Sequence, residues 1–284
     1  MSDSIYEQIG RDAFYLKLDL SAEHIAKLSM NESWSDEHLQ AVADIFTYMR
    51  EQKEQKTIST LLRLSRLPLK EPKTFENFDF SQIRGKDMTA LQELPTLAAL
   101  YGHRNLAFIG PQGVGKTHLA MAFGRACCEK GYKTYFLKAT ELNQKLLDAR
   151  KYGREKSTIN GLVKPSCLII DEIGRCVFDK VNTRMFFDII DRRYNKEGPN
   201  TLILTSNLMP GKWGEFFSED SSLLCSLDRI FDIATVFTIK GQTYRGKQCN
   251  TITLAAGRPS ALPKLKERKR LMHWSKWIDP KWRF

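Results

Sequence analysis

Between residues 105 and 207 the chain alternates between two rhythms. Short apolar runs (LAFI at 106–109, KTYFL at 133–137, SCLIIDEIG at 166–174 and TLILTSN at 201–207) are separated by stretches in which apolar residues recur every three or four positions. An apolar run of four or five residues predicts a strand buried on both faces, whereas three-to-four spacing is the signature of one helix face. HLAMAFGRACCEK (118–130), ATELNQKLLDARKYGREKSTINGLVK (139–164) and DKVNTRMFFDIIDRRYNKEG (179–198) carry the second rhythm. Gly153 predicts a break in the middle stretch, and Gly198-Pro199 predicts a stop after the last. Strand and helix in alternation give an α/β fold with a central parallel sheet flanked by helices.

The region before residue 70 follows the helical rhythm alone. In SWSDEHLQAVADIFTYMREQKEQKTISTLLRLSRLP (33–68), Ser and Asp offer an N-cap, and Leu39, Val42, Phe46 and Met49 share a helix face. The continuation sets Arg50, Lys53, Lys56, Arg63 and Arg66 around Ile58, Leu61, Leu62 and Leu64, which suits either a solvated helix in a small bundle or a surface for nucleic acid or protein. Pro68 and Pro72 break the helical order, so the reading places a helical domain at 1–70 and the α/β domain at 71–257. A basic C-terminal extension, 258–284, follows.

Charge sharpens this division. The 284 residues carry a formal net charge of +11, which favours a polyanionic partner. It is unevenly spread: residues 1–49 sum to −6, and residues 259–284 sum to +6 and hold Trp274, Trp277 and Trp282. The six cysteines (127, 128, 167, 176, 225 and 249) form no CxxC and no metal-spaced Cys/His pair, which predicts reduced, mostly buried thiols. No apolar run reaches the ~20 residues of a membrane helix, and MSDSIYEQIG lacks a basic-then-apolar start, so no membrane partner and a cytoplasmic location are expected.

The chemistry concentrates where strands end. Gly110 to Thr117 reads G-x-x-x-x-G-K-T between a strand and a helix. Glycines let successive N–H groups turn toward one anion, and the following helix adds the positive end of its dipole. The candidate nucleotide-binding stretch is therefore Gly110, Pro111, Gln112, Gly113, Val114, Gly115, Lys116, Thr117 and His118, with Lys116 reaching the β- and γ-phosphates of ATP and the Thr117 hydroxyl ligating Mg2+. CLIIDEIG delivers Asp171 to the Mg2+ shell and Glu172 to orient and deprotonate an attacking water. Asn207 ends the next strand and can position that water or read the γ-phosphate; a turn-forming asparagine is the plainer account. In SLDRI, Arg229 fits an arginine finger for a neighbouring subunit's γ-phosphate, against the plainer account of a surface ion pair, and Arg245 in GQTYRGK is a weaker candidate for a sensor in cis.

The order GPQGVGKTHLA, LIIDEIG, RRY, LILTSN, WGEFF, LDRI and IKGQTYR, with FENFDF (75–80) and RLSRLP ahead of it, resembles the IstB branch of the IstB/DnaC AAA+ ATPases over roughly residues 35–250. The resemblance implies an AAA+ fold with a helical N-terminal domain and ATP-dependent homo-oligomers whose sites lie between subunits. It makes Gly110, Gly113, Gly115, Lys116 and Thr117 the Walker A loop, Asp171 and Glu172 the Walker B acids, Asn207 sensor 1 and Arg229 the finger. It also implies a transposition helper that assembles on double-stranded DNA and recruits and activates a transposase; the alternative is a DnaC-like helicase loader on single-stranded DNA. The 139–164 stretch matches a helical insertion that contacts DNA, which makes Lys145, Arg150, Lys151, Arg154 and Lys156 candidates for phosphate contacts. Pro95, inside ALQELPTLAAL, departs from an unbroken family helix, and the 258–284 extension runs past the usual end. From other classes, a small-molecule P-loop kinase and a nucleotide-gated scaffold compete with this reading.

Overall fold

A computed structural model describes residues 4–83, 88–218 and 228–240; Arg245 and the 258–284 extension lie outside these residues. The chain opens with three helices, α1 (Ile5–Leu16), α2 (Ala22–Asn31) and α3 (Asp36–Leu64). Each starts on a serine whose hydroxyl accepts the N–H three residues on: Ser4 with Glu7, Ser21 with His24, and Ser35 with His38. Their apolar centre is small, Ile9, Ile25 and Ala43 with a few partly buried neighbours. Polar ties supplement it. Arg50 pairs with Asp12 at 2.8 Å, Thr47 donates to the same carboxylate at 2.9 Å, and Lys53 Nζ donates to the Tyr15 carbonyl at 2.8 Å.

At 29 residues, α3 is roughly 43 Å long. Its first half closes the small bundle, and its far end reaches the second part of the fold. The Ser65 carbonyl accepts from Phe136 N–H at 2.8 Å, and Leu67 is buried in the core beside the sheet. The predicted basic helix thus spends Arg50 and Lys53 on bundle contacts, while Lys56 and Arg63 remain exposed.

Two short helices, α4 (Met88–Gln92) and α5 (Ala98–Tyr101), flank a 3-10 turn at Leu94–Thr96. Pro95 cannot donate in an α-helical ladder, and Leu97 takes the left-handed conformation (φ 58°) that turns the chain. The sheet follows, with β1 (Asn105–Ile109), α6 (Lys116–Glu129), β2 (Thr134–Lys138), α7 (Ala139–Lys151), α8 (Glu155–Val163), β3 (Cys167–Ile173), α9 (Lys180–Tyr194), β4 (Thr201–Ser206) and β5 (Ala234–Thr238). The five strands are all parallel, in the order β2-β3-β4-β1-β5. Gly153 sits at φ 64° between α7 and α8, as its position in the sequence predicts.

Alternation along each strand builds two cores. Leu168, Ile170, Leu202 and Leu204 pack against α7, α8 and α9, with Leu142, Leu146, Phe186 and Ile190 opposite them. Cys167, Ile169, Ile203 and Phe108 face the other way, toward Leu119 and Phe123 of α6. Because the strands run parallel, β1, β3 and β4 deliver their carboxyl ends to one edge. That edge carries Gly110, the Asp171-Glu172 pair and Asn207.

Arg193, near the end of α9, is almost fully buried. Its guanidinium donates to the carbonyls of Leu162, Val163, Pro165, Ser166 and Thr201 and to Asn200 Oδ1, at 2.7–3.3 Å. Burial pulls its pKa down to about 10, still well charged at neutral pH. Truncation strands several buried acceptors at once, so Arg193→Ala should cost about 3 kcal/mol or more of stability. Urea denaturation of the variant checks this; a loss below 1 kcal/mol would contradict it.

Candidate functional site

At the end of β1 the backbone turns sharply. Gly110 has φ 154°, and a Cβ there would lie 2.1 Å from the Ile239 carbonyl oxygen, so no other residue fits. Gly113 and Gly115 also take positive φ, 80° and 91°, and α6 starts directly after at Lys116. Val114 is buried beneath the loop and anchors it in the core, while Gln112 and Gly113 line the cavity above. Lys116 is 7% exposed. Its ammonium donates to the carbonyls of Gly110 (2.7 Å) and Pro111 (2.6 Å) and to Asn207 Oδ1 (2.8 Å). These bonds hold the amine at the loop's mouth.

The adjacent acids sit in a bulge, because the β3–β4 register shifts between Ile170 and Ile173. Asp171 is buried, and its Oδ1 accepts from the hydroxyls of Thr117 (2.8 Å) and Thr205 (2.6 Å). Burial raises the Asp171 carboxyl above the usual carboxylate range, and the two hydroxyl donors partly oppose that rise. Glu172 adopts a left-handed backbone (φ 61°), and its N–H donates to Thr205 Oγ1 at 2.9 Å. Its carboxylate lies 3.5 Å from the Arg175 guanidinium and 3.6 Å from the Lys138 ammonium.

A cavity of about 500 Å³ joins these groups, within the range of small-molecule sites. Lys116, Thr117, Glu172, Thr205 and Asn207 line it together with Lys73, Asn77 and Phe78 of the segment before α4. His118 fastens that segment to α6. Its Nε2 is 2.8 Å from the Thr74 carbonyl, the Phe78 ring meets it edge-on at 5.1 Å, and burial lowers its pKa below the usual imidazole range. The cavity suits a nucleoside triphosphate: a loop that admits no Cβ at Gly110, a lysine at its mouth and a volume of about 500 Å³. The donor set at Thr117 and Asp171, a hydroxyl and a carboxylate 2.8 Å apart, suits a hard cation such as Mg2+.

Of the residues singled out from sequence, Lys116, Thr117, Glu172 and Asn207 thus line one cavity, and Asp171 is buried behind it on the Thr117 hydroxyl. Arg229 does not join them. It pairs with Asp191 of α9, and its neighbours Ile230 and Ile233 accept from Asn105, the first residue of β1. Five strand residues at ~3.3 Å each, about 16 Å, separate that end from the phosphate loop. Arg245 lies outside the described residues. Among the DNA candidates, Lys145, Lys151, Arg154 and Lys156 are exposed, whereas Arg150 is bound to Asp179 at 2.6 Å and to Asn182. Thr205, Arg175, Lys138 and the Phe78 wall were not singled out as site residues from sequence. Period-two alternation from Asn207 back to Thr205 was the one signal that pointed to any of them.

A parallel sheet in this order, with a glycine loop after β1 and adjacent acids at the end of β3, defines an AAA+ P-loop protein. The DnaA of Aquifex aeolicus solved with AMPPCP is similar at 25% identity, over 60% of this chain and 51% of that one (TM-score 0.50). DnaI shares the fold at 19% identity, over 65% of this chain and 93% of that one (TM-score 0.51). Residues 13–251 match the family described as IstB-like ATP binding protein, and the chain belongs to that family. A protein named for ATP binding in insertion sequence IS5376 of Geobacillus stearothermophilus is 38% identical, over 68% of this chain and 75% of its own length. Its counterpart in IS232 of Bacillus thuringiensis subsp. berliner is 34% identical over 85% and 95%, and that in IS21 of Pseudomonas aeruginosa is 31% identical over 82% and 80%. Among the described residues, no helix is long and apolar enough to cross a membrane.

Proposed function

We propose that this protein is an ATP-hydrolysing transposition helper that assembles on duplex DNA in the cytoplasm and there recruits and activates a transposase. One observation carries the mechanism: Lys116, Thr117, Glu172 and Asn207 line one cavity, with Asp171 bonded to Thr117 just behind its wall, while the candidate finger Arg229 lies at the opposite end of the sheet. A site so divided is completed by a second copy, which makes assembly the step that ATP controls. The insertion-sequence relatives supply the context of transposition.

In this mechanism Lys116 exchanges its loop carbonyls for the β- and γ-phosphate oxygens. Thr117 and Asp171 hold Mg2+, which neutralises phosphate charge when bound. Asn207, released by Lys116, orients the attacking water, and Glu172 accepts its proton. The neighbour's Arg229 then faces the charge that develops on the transferred phosphoryl group. Lys145, Lys151, Arg154 and Lys156 contact duplex phosphates, so affinity falls steeply with salt. Preference for single strands would instead favour a helicase loader.

Arg229→Ala should keep ATP affinity and lose about 10³-fold in turnover. Mixing Arg229→Ala with Glu172→Gln pairs an intact site on one subunit with an intact finger on the next. Steady-state ATPase of the equimolar mixture should exceed that of either variant alone. A mixture no more active than its components, or wild-type turnover by Arg229→Ala, would contradict sites shared between subunits.

A further inference from the structure

The bulge that carries the two acids takes Glu172 out of the β3–β4 ladder, and the hydroxyl of Thr205 fills the gap. Thr205 is 1% exposed and stands between Ile203 and Asn207 on one face by alternation. Its single proton goes to Asp171 Oδ1 at 2.6 Å, and its lone pair receives Glu172 N–H at 2.9 Å. One hydroxyl therefore fixes the buried carboxylate and the left-handed backbone of the next residue together. On the far side of the bulge, Ser206 Oγ donates to the Ile173 carbonyl at 2.7 Å and accepts from Leu208 N–H at 3.0 Å, so β4 holds both flanks of the acid pair.

We infer that Thr205 is a positioning residue for the metal and the water. It keeps Asp171 aimed at the cation site while the Thr117 hydroxyl, the other donor on the same oxygen, turns to the cation. Without Thr205, Asp171 loses its fixed rotamer at the moment Thr117 leaves it, and Glu172 loses the partner of a left-handed N–H. This rests on the proposed ATPase reading of the site and adds a residue that neither phosphate nor metal touches.

The test compares the full chain with Thr205→Val, Thr205→Ser and Asp171→Asn, using a fluorescent non-hydrolysable ATP analogue titrated with Mg2+ and with EDTA. In EDTA the wild type, Thr205→Val and Thr205→Ser should bind alike. With Mg2+, Thr205→Val should need a 10- to 100-fold higher Mg2+ concentration for half-maximal tightening, with kcat falling by a similar factor, and Thr205→Ser should restore both. If Thr205→Val fails to fold, Thr205→Ala takes its place in the same comparison. A wild-type Mg2+ response in Thr205→Val, or a Thr205→Ser variant as impaired as Thr205→Val, overturns the inference. Should Asp171→Asn keep the wild-type Mg2+ response, the reading of the site itself fails, whatever Thr205 does.

Discussion

Lys116→Ala should weaken ATP binding by at least ~100-fold, because a buried ammonium makes charge-assisted hydrogen bonds to phosphate that no other side chain at the loop mouth replaces. The fold should survive. Two loop carbonyls and Asn207, which accept from Lys116, border an open cavity where water can take its place. Thermal melts separate the two effects. Saturating ATP at ~100 times its Kd stabilises a binding-competent protein by about 2.7 kcal/mol, several degrees for a domain of this size. Wild type should show that shift with ATP and Lys116→Ala should show at most about 0.4 kcal/mol of it, a degree or so, with similar melting points in its absence. An equal ATP-induced shift in both would remove Lys116 from the phosphate site.

Glu172→Gln should do the reverse, retaining ATP affinity while turnover falls by about 10²- to 10⁴-fold, the usual contribution of a general base. Glutamine keeps the length of the side chain and the backbone bond to Thr205. What it gives up structurally is small: the ion pairs to Lys138 and Arg175 are half exposed, and such pairs contribute about 1 kcal/mol or less each. Assemblies that form with ATP should therefore persist. Phosphate release under single-turnover conditions measures the chemical step directly, and a wild-type rate would show that another group accepts the proton.

The parts of this site that could be read from sequence are those set by local pattern. An apolar run ending in GPQGVGKT or in DEIG announces a strand that hands its last residues to a loop, and parallel strands send such ends to one edge. The missing parts depend on which strands are neighbours. Thr205 matters because β4 lies beside β3, and Lys138 reaches Glu172 because β2 flanks β3 on the other side. Nothing local in TLILTSN states that adjacency. The wall at Lys73, Asn77 and Phe78 comes from a segment roughly 40 residues upstream of α6, brought in by the bond between His118 and the Thr74 carbonyl. Arg193 shows the same limit. Within DKVNTRMFFDIIDRRYNKEG it resembles any basic residue near a helix end, yet it is buried and ties the turn before β3 to the start of β4. The pairing of Arg229 with Asp191 likewise needs the fold to bring the segment before β5 against α9.

In this mechanism DNA binding is conditional on ATP. The most direct measurement is the affinity of Glu172→Gln for long duplex and for single-stranded DNA, with ATP and without, followed by electron microscopy of the complexes. Tight, salt-sensitive binding to duplex is expected only when ATP is present, in ordered oligomers. Equal duplex affinity with and without ATP, or a preference for single strands, would contradict it.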